Sequence, residues 1–455
     1  RPASESGNKI PISWLSSSVF AIRPATLFLL GSLCFFLTVV FAWLLGNNQI
    51  SELFAQLHIL QENPPSWLEA PQLDNKYYLL LPTILLFLVA QIIIKVSPQP
   101  KTWSRRVVVS IVLILTIRYL AWRVLSTLNF SNPIDGVFSL TLLLMELLAM
   151  AGSILKLLMM FNIKERHREA DYYSQEVIAG KYTPSVDVLI PTYNEPEFIL
   201  KRTVIGCQAL DYSQKKIYLL DDTRRPEIKK LAKELGCEYL TRPDNNHAKA
   251  GNLNQAISKT NGELIVIFDA DFIPTTNFLT RTVGFFQNPQ IGLVQTPQSF
   301  YNSDPIARNL DLEDTLTPEE EVFYRHTQPM KDGAGSVVCA GTSFVVRRVA
   351  LEKIGCFVTE SLSEDYFTGI NLSSQGYELI YLDEKLSAGL AAESIAAHID
   401  QRLRWVRGTL QAFFIKYNPL TIPGLTLWQR LGHLEGLLHW FTCFRRAFCL
   451  SVPLV

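Results

Sequence analysis

Residues 264–271 read LIVIFDAD, an apolar run that ends in two carboxylates separated by one residue. A short apolar run rich in branched side chains is typical of a strand that is buried on both faces of a sheet. Similar runs alternate with segments of helical periodicity along the middle of the chain. This alternation predicts an α/β fold with a mostly parallel, doubly wound sheet. The predicted strands are residues 186–190, 216–220, 264–268 and 291–295, and the predicted helices are residues 198–209, 227–234, 250–258 and 278–286.

Polar residues follow three of the predicted strands at the point where each strand ends. The first strand is followed by PTYNE at residues 191–195, the second by Asp221 and Asp222, and the third by Asp269 and Asp271. One such acid can be an ordinary helix cap. Three clusters together favour a ligand site, because ligands bind beyond the carboxyl ends of such strands. Paired carboxylates suit Mg²⁺ or Mn²⁺ bound together with substrate phosphates.

Two further motifs are placed at predicted helix starts. Lys249 lies in HAKAGN, residues 247–252, where free N–H groups and a lysine charge suit a phosphate. The alternative is a solvated lysine. Ser363 is predicted to cap the helix that continues to Gln375, with Glu364 and Asp365 in its first turn. A carboxylate held there can be a general base, although an ordinary acidic first turn has the same sequence.

A predicted amphipathic helix at residues 395–414 carries the motif QRLRW at residues 401–405. Arg404 can hold a diphosphate, and Trp405 has a flat face on which a sugar ring can stack. Basic and aromatic residues in this pattern are also typical of a helix that lies on a membrane surface. The two interpretations are compatible with each other.

The composition indicates a membrane protein. Hydrophobic residues make up 48% of the 455 residues and charged residues 18%, against about 25% charged in soluble proteins. The net charge of zero argues against a nucleic-acid partner. The seven cysteines include no C-x-x-C pair, so reduced thiols are expected and a zinc site is not. Apolar runs long enough to cross a bilayer lie at residues 24–46, 77–94, 107–125 and 137–161.

The loop charges predict the orientation, because basic residues concentrate on the cytoplasmic side. Arg118 and Glu146 interrupt two of the predicted spans, either as a buried ion pair or as the lining of a polar path. The chain starts at Arg1 and stops within an apolar stretch, from which we expect a piece of a longer protein. We expect a cytoplasmic segment at residues 1–23, four transmembrane helices at 24–161, a cytoplasmic domain at 162–417 with an interfacial helix near 394–415, and an interfacial segment that starts a second membrane region at 418–455.

In order, the motifs resemble those of the processive family 2 glycosyltransferases, whose pattern is D, D-x-D, T/S-E-D and Q-x-x-R-W. The resemblance covers most of residues 180–455 and is strongest to the cellulose-forming members of bacteria. It implies a glycosyltransferase A-type domain inserted between transmembrane helices of the bacterial inner membrane. It also implies UDP-glucose as donor, a growing β-1,4-glucan as acceptor, and a partner that exports the glucan beyond the membrane.

The resemblance implies roles for residues on the donor side. Lys249 would meet the diphosphate of the donor. Asp269 and Asp271 would bind UDP and the metal, Mg²⁺ or Mn²⁺. The residues that it places near the uridine are Thr192, Glu195 and Asp222, with Asp221 as the alternative to Asp222.

On the acceptor side, Asp365 would take the proton from the acceptor's 4-hydroxyl, with Glu364 beside it in the same motif. Cys339 matches the family's acceptor-side run, but its aromatic neighbours are replaced by Val337 and Val338. Thr223 and Phe272 are further departures, at positions where the family often has Gly and His. The helix motif would hold the diphosphate and the acceptor sugar through Gln401, Arg402, Arg404 and Trp405.

Other functions fit parts of the pattern. The departures on the acceptor side leave open another β-glycan, such as a β-1,3-glucan or a mannan. A non-processive lipid glycosyltransferase and an export channel with an inactive nucleotide-sugar domain are further alternatives. The complete set of acidic motif residues argues against the inactive domain.

Overall fold

The computed structural model of this chain describes residues 24–65, 81–99, 101–442 and 446. The predicted segment 1–23, the start of the span predicted at 77–94 and nearly all of the chain after residue 442 lie outside these ranges. The helices that precede the sheet are α1 (Pro24–Leu44), α2 (Asn48–Glu62), α3 (Leu81–Val96), α4 (Thr102–Ser126), α5 (Pro133–Met159) and α6 (His167–Ile178).

Helices α4 and α5 are long and apolar enough to cross a membrane. Helices α1 and α2 would together make a third span, but they are bent by 91° at the break between them. The apolar helix at Ile84–Val96 is shorter. Within the described ranges, therefore, two of the four predicted spans correspond to helices of sufficient length, and the arrangement of four spans stays a prediction.

The charges inside these two helices pair differently from what we expected. Glu146 on α5 accepts a hydrogen bond from Arg123 Nε at 2.6 Å and another from the Tyr119 hydroxyl at 3.0 Å. Arg118 has an exposed side chain. Of the two alternatives, the Arg118–Glu146 ion pair does not form, because residues five positions apart on a helix, such as Arg118 and Arg123, lie about 140° apart around its axis. Arg123 is the residue that faces α5.

The helices of the α/β domain alternate with its strands, as the periodicity predicts. Helix α10 is shorter than predicted, since the backbone continues after Thr282 as a 3₁₀-helix at Val283–Gln287. The remaining helices are α7 (Glu197–Gln208), α8 (Pro226–Leu235), α9 (Ala248–Ile257), α10 (Phe278–Thr282), α11 (Pro305–Asn309), α12 (Glu319–Val322), α13 (Gln328–Gly333), α14 (Arg348–Lys353), α15 (Glu364–Ser374), α16 (Ile395–Leu410) and α17 (Leu427–His439). The strands are β1 (Val186–Thr192), β2 (Lys215–Asp221), β3 (Glu238–Leu240), β4 (Leu264–Ile267), β5 (Ile273–Pro274), β6 (Ile291–Gln295), β7 (Phe344–Arg347), β8 (Glu378–Tyr381) and β9 (Ser387–Ala388).

Seven strands form one sheet in the order β3-β2-β1-β4-β7-β6-β8, and β5 and β9 form a separate pair. Strand β1 runs parallel to β2 and β4, and β6 runs parallel to β8. Strand β7 is antiparallel to both of its neighbours. The four predicted strands are β1, β2, β4 and β6, so the prediction of a mostly parallel α/β sheet is confirmed.

Helices cover both faces of the sheet, and every residue of β1 is buried. Successive side chains of a strand point to opposite faces, so Val188 belongs to one apolar cluster and Leu189 to the other. The polar residues at the strand ends are therefore held at one edge of a sheet that cannot shift its register without exposing its core.

Ion pairs join the helices of the α/β domain to α5 and to the start of α6. Glu435 on α17 lies 3.2 Å from Lys331 on α13 and 3.3 Å from Lys156 on α5. Asp332, the neighbour of Lys331, accepts two hydrogen bonds from Arg166 at 2.9 Å each. Helix α17 also packs against α5. These contacts fix the position of the domain relative to α5.

Candidate active site

The predicted site residues gather at the carboxyl edge of the parallel strands. Strands β1 and β2 end at Thr192 and Asp221, and Thr192 pairs with Asp221 in the sheet register. Strand β4, on the other side of β1, leads into Asp269 through Phe268. The chain therefore brings three of its polar clusters to neighbouring positions on one edge, as the strand order requires.

Thr192 and Glu195 form a compact turn at the end of β1. The Thr192 hydroxyl donates to Glu195 Oε2 at 2.6 Å, and the Tyr193 N–H donates to the same oxygen at 2.8 Å. Arg225 reaches this turn from the start of α8 and donates to Thr192 Oγ1 at 2.9 Å and to the Glu195 carbonyl at 2.8 Å. The sequence analysis missed Arg225, although a basic pair directly after an acidic strand end is a signal for it.

Asp221 is fully buried and serves the protein's own contacts. Its carboxylate accepts hydrogen bonds from the Arg225 N–H at 2.6 Å and from the Tyr239 hydroxyl at 3.0 Å. The hydroxyl of Thr223, where the family often has glycine, donates to it at 2.8 Å. Thr223 thus adds a contact that shapes the turn after β2.

Asp222 is also buried, and it is paired with Arg242. Arg242 Nη2 donates to Asp222 Oδ2 at 2.7 Å, and Arg242 Nε donates to Asp222 Oδ1. The Asp222 N–H donates to the Thr192 carbonyl at 3.1 Å, which ties the ends of β1 and β2 together. Arg242 is a second residue that the sequence analysis did not identify.

Lys249 connects α9 to the D-x-D motif. Its Nζ lies 2.5 Å from Asp269 Oδ1 and donates to the Gly341 carbonyl at 2.8 Å. Burial alone would lower the pKa of Lys249, but the carboxylates of Asp269, Glu364 and Asp365 outweigh burial and raise it above its usual value. The lysine is therefore a positive charge held among acids, which replaces the alternative of a solvated lysine, and its contact with a phosphate stays a prediction.

Asp271 is the second acid of the D-x-D motif, and its side chain is half-buried. Burial, and then the negative charge of Asp269, raise the pKa of Asp271 to about 6. Glu195 adds to this effect, and backbone N–H groups, including that of Leu390, oppose it. A divalent cation beside Asp271 would favour the charged form of its carboxylate and offset the negative charge of Asp269.

The donor set fits a metal that shares its ligands with a substrate. Within the described ranges, no group of three or more His, Cys, Asp or Glu side chains is close enough to hold a metal ion. Asp269 and Asp271 therefore offer two carboxylates, and the other ligands would come from a diphosphate and water. This is the usual arrangement for Mg²⁺ at phosphate-transfer sites.

Asp365 lies in the first turn of α15, as predicted, but Ser363 does not cap the helix with its side chain. The Tyr366 N–H instead donates to Asp365 Oδ1 at 2.7 Å. Burial, and then the charge of Glu364, raise the pKa of Asp365 to about 7, while Lys249 acts in the opposite direction. Asp365 is thus a half-buried carboxyl that can gain and lose a proton near neutral pH.

Cys339 lies beneath this group and is 1% exposed. Burial, and then the charge of Asp365, raise the pKa of the Cys339 thiol, so it stays a neutral packing group. Tyr324, which was not among the predicted residues, is buried in the same region, and burial, and then the charge of Asp365, raise the pKa of its hydroxyl. Tyr324 lies in a π-helical turn at Phe323–Thr327, and no motif in the sequence identifies it.

The motif on α16 faces a groove beside the D-x-D motif. This groove has a volume of about 600 Å³, and Leu390, Gln401 and Arg404 line it. Arg402 points elsewhere and forms an ion pair with Glu320 at 2.7 Å. Its guanidinium carbon also lies 5.1 Å from the centre of the Trp405 ring. Gln401 and Arg404 thus line the groove, while Arg402 and Trp405 contact each other.

Comparison with known proteins relates the chain to glycosyltransferases. Residues 184–408 match the family model described as "Glycosyltransferase like family 2". The chain is 39% identical over 344 residues to the "Cellulose synthase 1 catalytic subunit [UDP-forming]" of Komagataeibacter xylinus, which covers 75% of this chain and 45% of the relative. It is also 39% identical over 335 residues to the "Cellulose synthase catalytic subunit [UDP-forming]" of Xanthomonas axonopodis pv. citri (strain 306), with 72% and 45% covered.

Among solved structures, a mannosyltransferase from Pyrobaculum calidifontis in complex with GDP-Man and Mn²⁺ is similar, with a TM-score of 0.45 and 18% identity, covering 66% of this chain and 80% of the other. The chain spans less than half the length of the two cellulose synthase subunits. Residues 184–408 are a glycosyltransferase domain of family 2, and the chain is a relative of the catalytic subunits of bacterial cellulose synthases.

Proposed function

We propose that this chain transfers glucose from UDP-glucose to the non-reducing end of a growing β-1,4-glucan. The observation that carries the proposal is the Lys249–Asp269 pair, at 2.5 Å, beside the half-buried carboxyl of Asp365. A phosphate-binding cation, a metal-binding acid and a candidate base thus lie together. The two cellulose synthase relatives support glucose and the β-1,4 linkage as the most specific choice.

The donor would bind along the strand ends. Asp269 and Asp271 would hold Mg²⁺ or Mn²⁺, which neutralises charge on the departing diphosphate. Lys249, which contacts Asp269, would add a second positive charge to the diphosphate. The uridine would lie near the turn of Thr192 and Glu195. The Asp221 and Asp222 carboxylates, which are paired with arginines, would support this turn.

Asp365 would act as the general base. It takes the proton of the acceptor's 4-hydroxyl while that oxygen attacks the anomeric carbon of the donor. The new C1–O4 bond forms as the bond from C1 to the β-phosphate oxygen of UDP breaks, so the configuration at C1 inverts. Burial and Glu364 keep the pKa of Asp365 near the working pH, which is the condition for an efficient base.

The acceptor end would lie in the groove of α16. Gln401 and Arg404 line this groove, and Trp405 would present its ring to the acceptor sugar, with Arg402 holding that ring in place. Cys339 would pack beneath the acceptor. A platform of this kind holds the product after each transfer, which favours a processive enzyme over one that adds a single sugar.

The membrane helices would place the domain at the cytoplasmic face of a bacterial inner membrane. Helices α4 and α5 are long enough to cross the bilayer. The buried Glu435 and Lys331, together with the partly exposed Lys156, would hold the domain against α5. The glucan would leave through the membrane region toward a partner that exports it from the cell.

Membranes that contain this chain, supplied with labelled UDP-glucose and Mg²⁺, test the proposal. The expected product is a polymer that elutes at high mass from a sizing column and is degraded by a β-1,4-specific glucanase. A long product that resists this enzyme would assign another β-glycan. A single labelled sugar on a lipid would assign a non-processive transferase and overturn the proposed processivity.

A further inference from the structure

Arg242 is a buried hub between the end of β2 and the start of α9. Its side chain is 5% exposed and forms a two-point contact with the carboxylate of Asp222. The same guanidinium donates to the Asn246 carbonyl at 2.6 Å and to the Ala248 carbonyl at 2.9 Å. One arginine therefore links a strand end to the loop that leads into α9.

The loop that Arg242 holds has a strained backbone. His247 has φ 61° and Ala248 has φ 43°, in a region that residues other than glycine seldom occupy. A strained conformation persists only where the surroundings impose it. The carbonyls that Arg242 binds lie on both sides of His247, so its hydrogen bonds act directly on the strained residues.

Gly251 shows how closely the loop fits around the guanidinium. A Cβ at position 251 would lie 2.1 Å from the Asn246 carbonyl oxygen and 2.5 Å from Arg242 Nη1. The first turn of α9, the loop and the arginine thus form one packed unit. A shift of Arg242 would therefore also shift the start of α9.

Lys249 lies within this unit, directly after Ala248. The carbonyl of Ala248, which Arg242 holds, belongs to the peptide bond that leads into Lys249. The Lys249 ammonium reaches Asp269 from this anchored point. The arginine thus determines where the backbone of Lys249 stands relative to the strand ends, and the side chain extends from there into the site.

We infer that Arg242 is a positioning residue, which holds the loop before α9 so that Lys249 presents its ammonium to the diphosphate of the donor. The inference rests on the proposed function for its ligand, but the anchoring of Lys249 by Arg242 does not depend on which sugar is transferred. A lysine at position 242 would keep the charge but lose the planar fork that serves Asp222 and two carbonyls at once.

Arg348 provides a matched comparison at the other end of α9. It is 8% exposed, donates to Asp187 Oδ2 at 2.7 Å, and donates to the Gly262 and Ile257 carbonyls at 2.5 and 2.9 Å. Both arginines therefore bind one carboxylate and two backbone carbonyls in the interior. Ile257 is the last residue of α9, whereas Lys249 is near the first, so the two sites differ mainly in their distance from the candidate site.

The test compares Arg242→Gln and Arg242→Lys with Arg348→Gln in the purified full chain. Two readouts are used: the Kd for UDP with Mn²⁺ by calorimetry, and the acetylation rate of each lysine by N-hydroxysuccinimide acetate, mapped by mass spectrometry. We expect each Arg242 variant to raise the Kd about tenfold or more and to raise the acetylation rate of Lys249 several-fold. Arg348→Gln should lower the thermal midpoint similarly and leave both readouts at the wild-type level.

Equal changes in the Arg242 and Arg348 variants would overturn the inference, because the arginine would then act only through general stability. An unchanged acetylation rate of Lys249 in folded Arg242 variants would also overturn it. So would unfolding of both Arg242 variants while Arg348→Gln folds, since Arg242 would then serve folding itself. If the wild-type chain does not bind UDP, the proposed function fails, and the acetylation rates still decide whether Arg242 positions Lys249.

Discussion

Gly341 lies so close to Asp365 that a Cβ at position 341 would stand 2.7 Å from Asp365 Oδ2. The same Cβ would be 3.6 Å from Lys249 Nζ, and the Gly341 carbonyl accepts a hydrogen bond from that nitrogen. Gly341 also has φ 84°, which favours glycine. The backbone at this position is therefore the spacer between the candidate base and the phosphate-binding lysine.

Gly341→Ala is expected to lower the turnover number about 100-fold, because a displacement of the base by about 1 Å has this order of effect. The measurement is the rate of UDP release with saturating UDP-glucose. Gly335→Ala is the matched control, since Gly335 has φ 68° but its Cβ would come no closer than 3.4 Å to a neighbour. Similar losses in both variants would assign the effect to backbone strain instead of to the contact with Asp365.

Asp365→Asn is expected to abolish polymer formation, with a loss of about 10²- to 10⁴-fold, because an amide cannot accept the proton of the acceptor. The amide keeps the size of the carboxylate, so the Kd for UDP should stay near its wild-type value. Glu360→Gln is the control, an exposed acid shortly before the same helix that pairs with Lys416 at 3.1 Å. Polymer synthesis at the wild-type rate in Asp365→Asn would refute the assigned base.

The pH dependence follows from the raised pKa of Asp365, about 7. A base works in its deprotonated form, and a carboxyl with a raised pKa is protonated at a higher pH than an ordinary one. Activity at low UDP-glucose, which reports the free enzyme, should therefore fall as the pH drops from 8 through about 7. An activity that stays constant down to pH 5 would show that Asp365 has an ordinary pKa.

The sequence predicted the acids at the strand ends, but it did not predict the arginines that pair with them. Strands β1, β2 and β4 were predicted because continuous branched runs have one interpretation inside an α/β protein, and the acids at their ends followed. Strand β7 was missed because it has only four residues and follows an irregular segment. Its antiparallel direction could not be predicted either. A pattern of apolar residues contains no information about strand direction.

Arg225 and Arg242 were missed for a different reason. Each stands outside the motif residues and reaches its partner through a long side chain, Arg225 to Asp221 and Arg242 to Asp222. Motif spacing identifies groups that lie at strand ends, but it does not tell which cation folds back to pair with them. The same limit applies to Glu146, because only the helix face distinguishes Arg118 from Arg123 as its partner.

Asp332→Asn tests the charged joint between α13 and the start of α6, where Arg166 lies. Asp332 is 1% exposed and accepts two hydrogen bonds from Arg166 and one from the Tyr381 N–H at 3.1 Å. Removing its charge leaves Arg166 without its buried partner, so we expect a loss of about 3–5 kcal/mol. Glu169→Gln is the matched control, since Glu169 pairs with the same arginine at 2.9 Å but is 48% exposed, and surface pairs contribute at most about 1 kcal/mol. Thermal unfolding of both variants in the same detergent measures the difference, and equal midpoints would show that burial of Asp332 adds nothing to the joint.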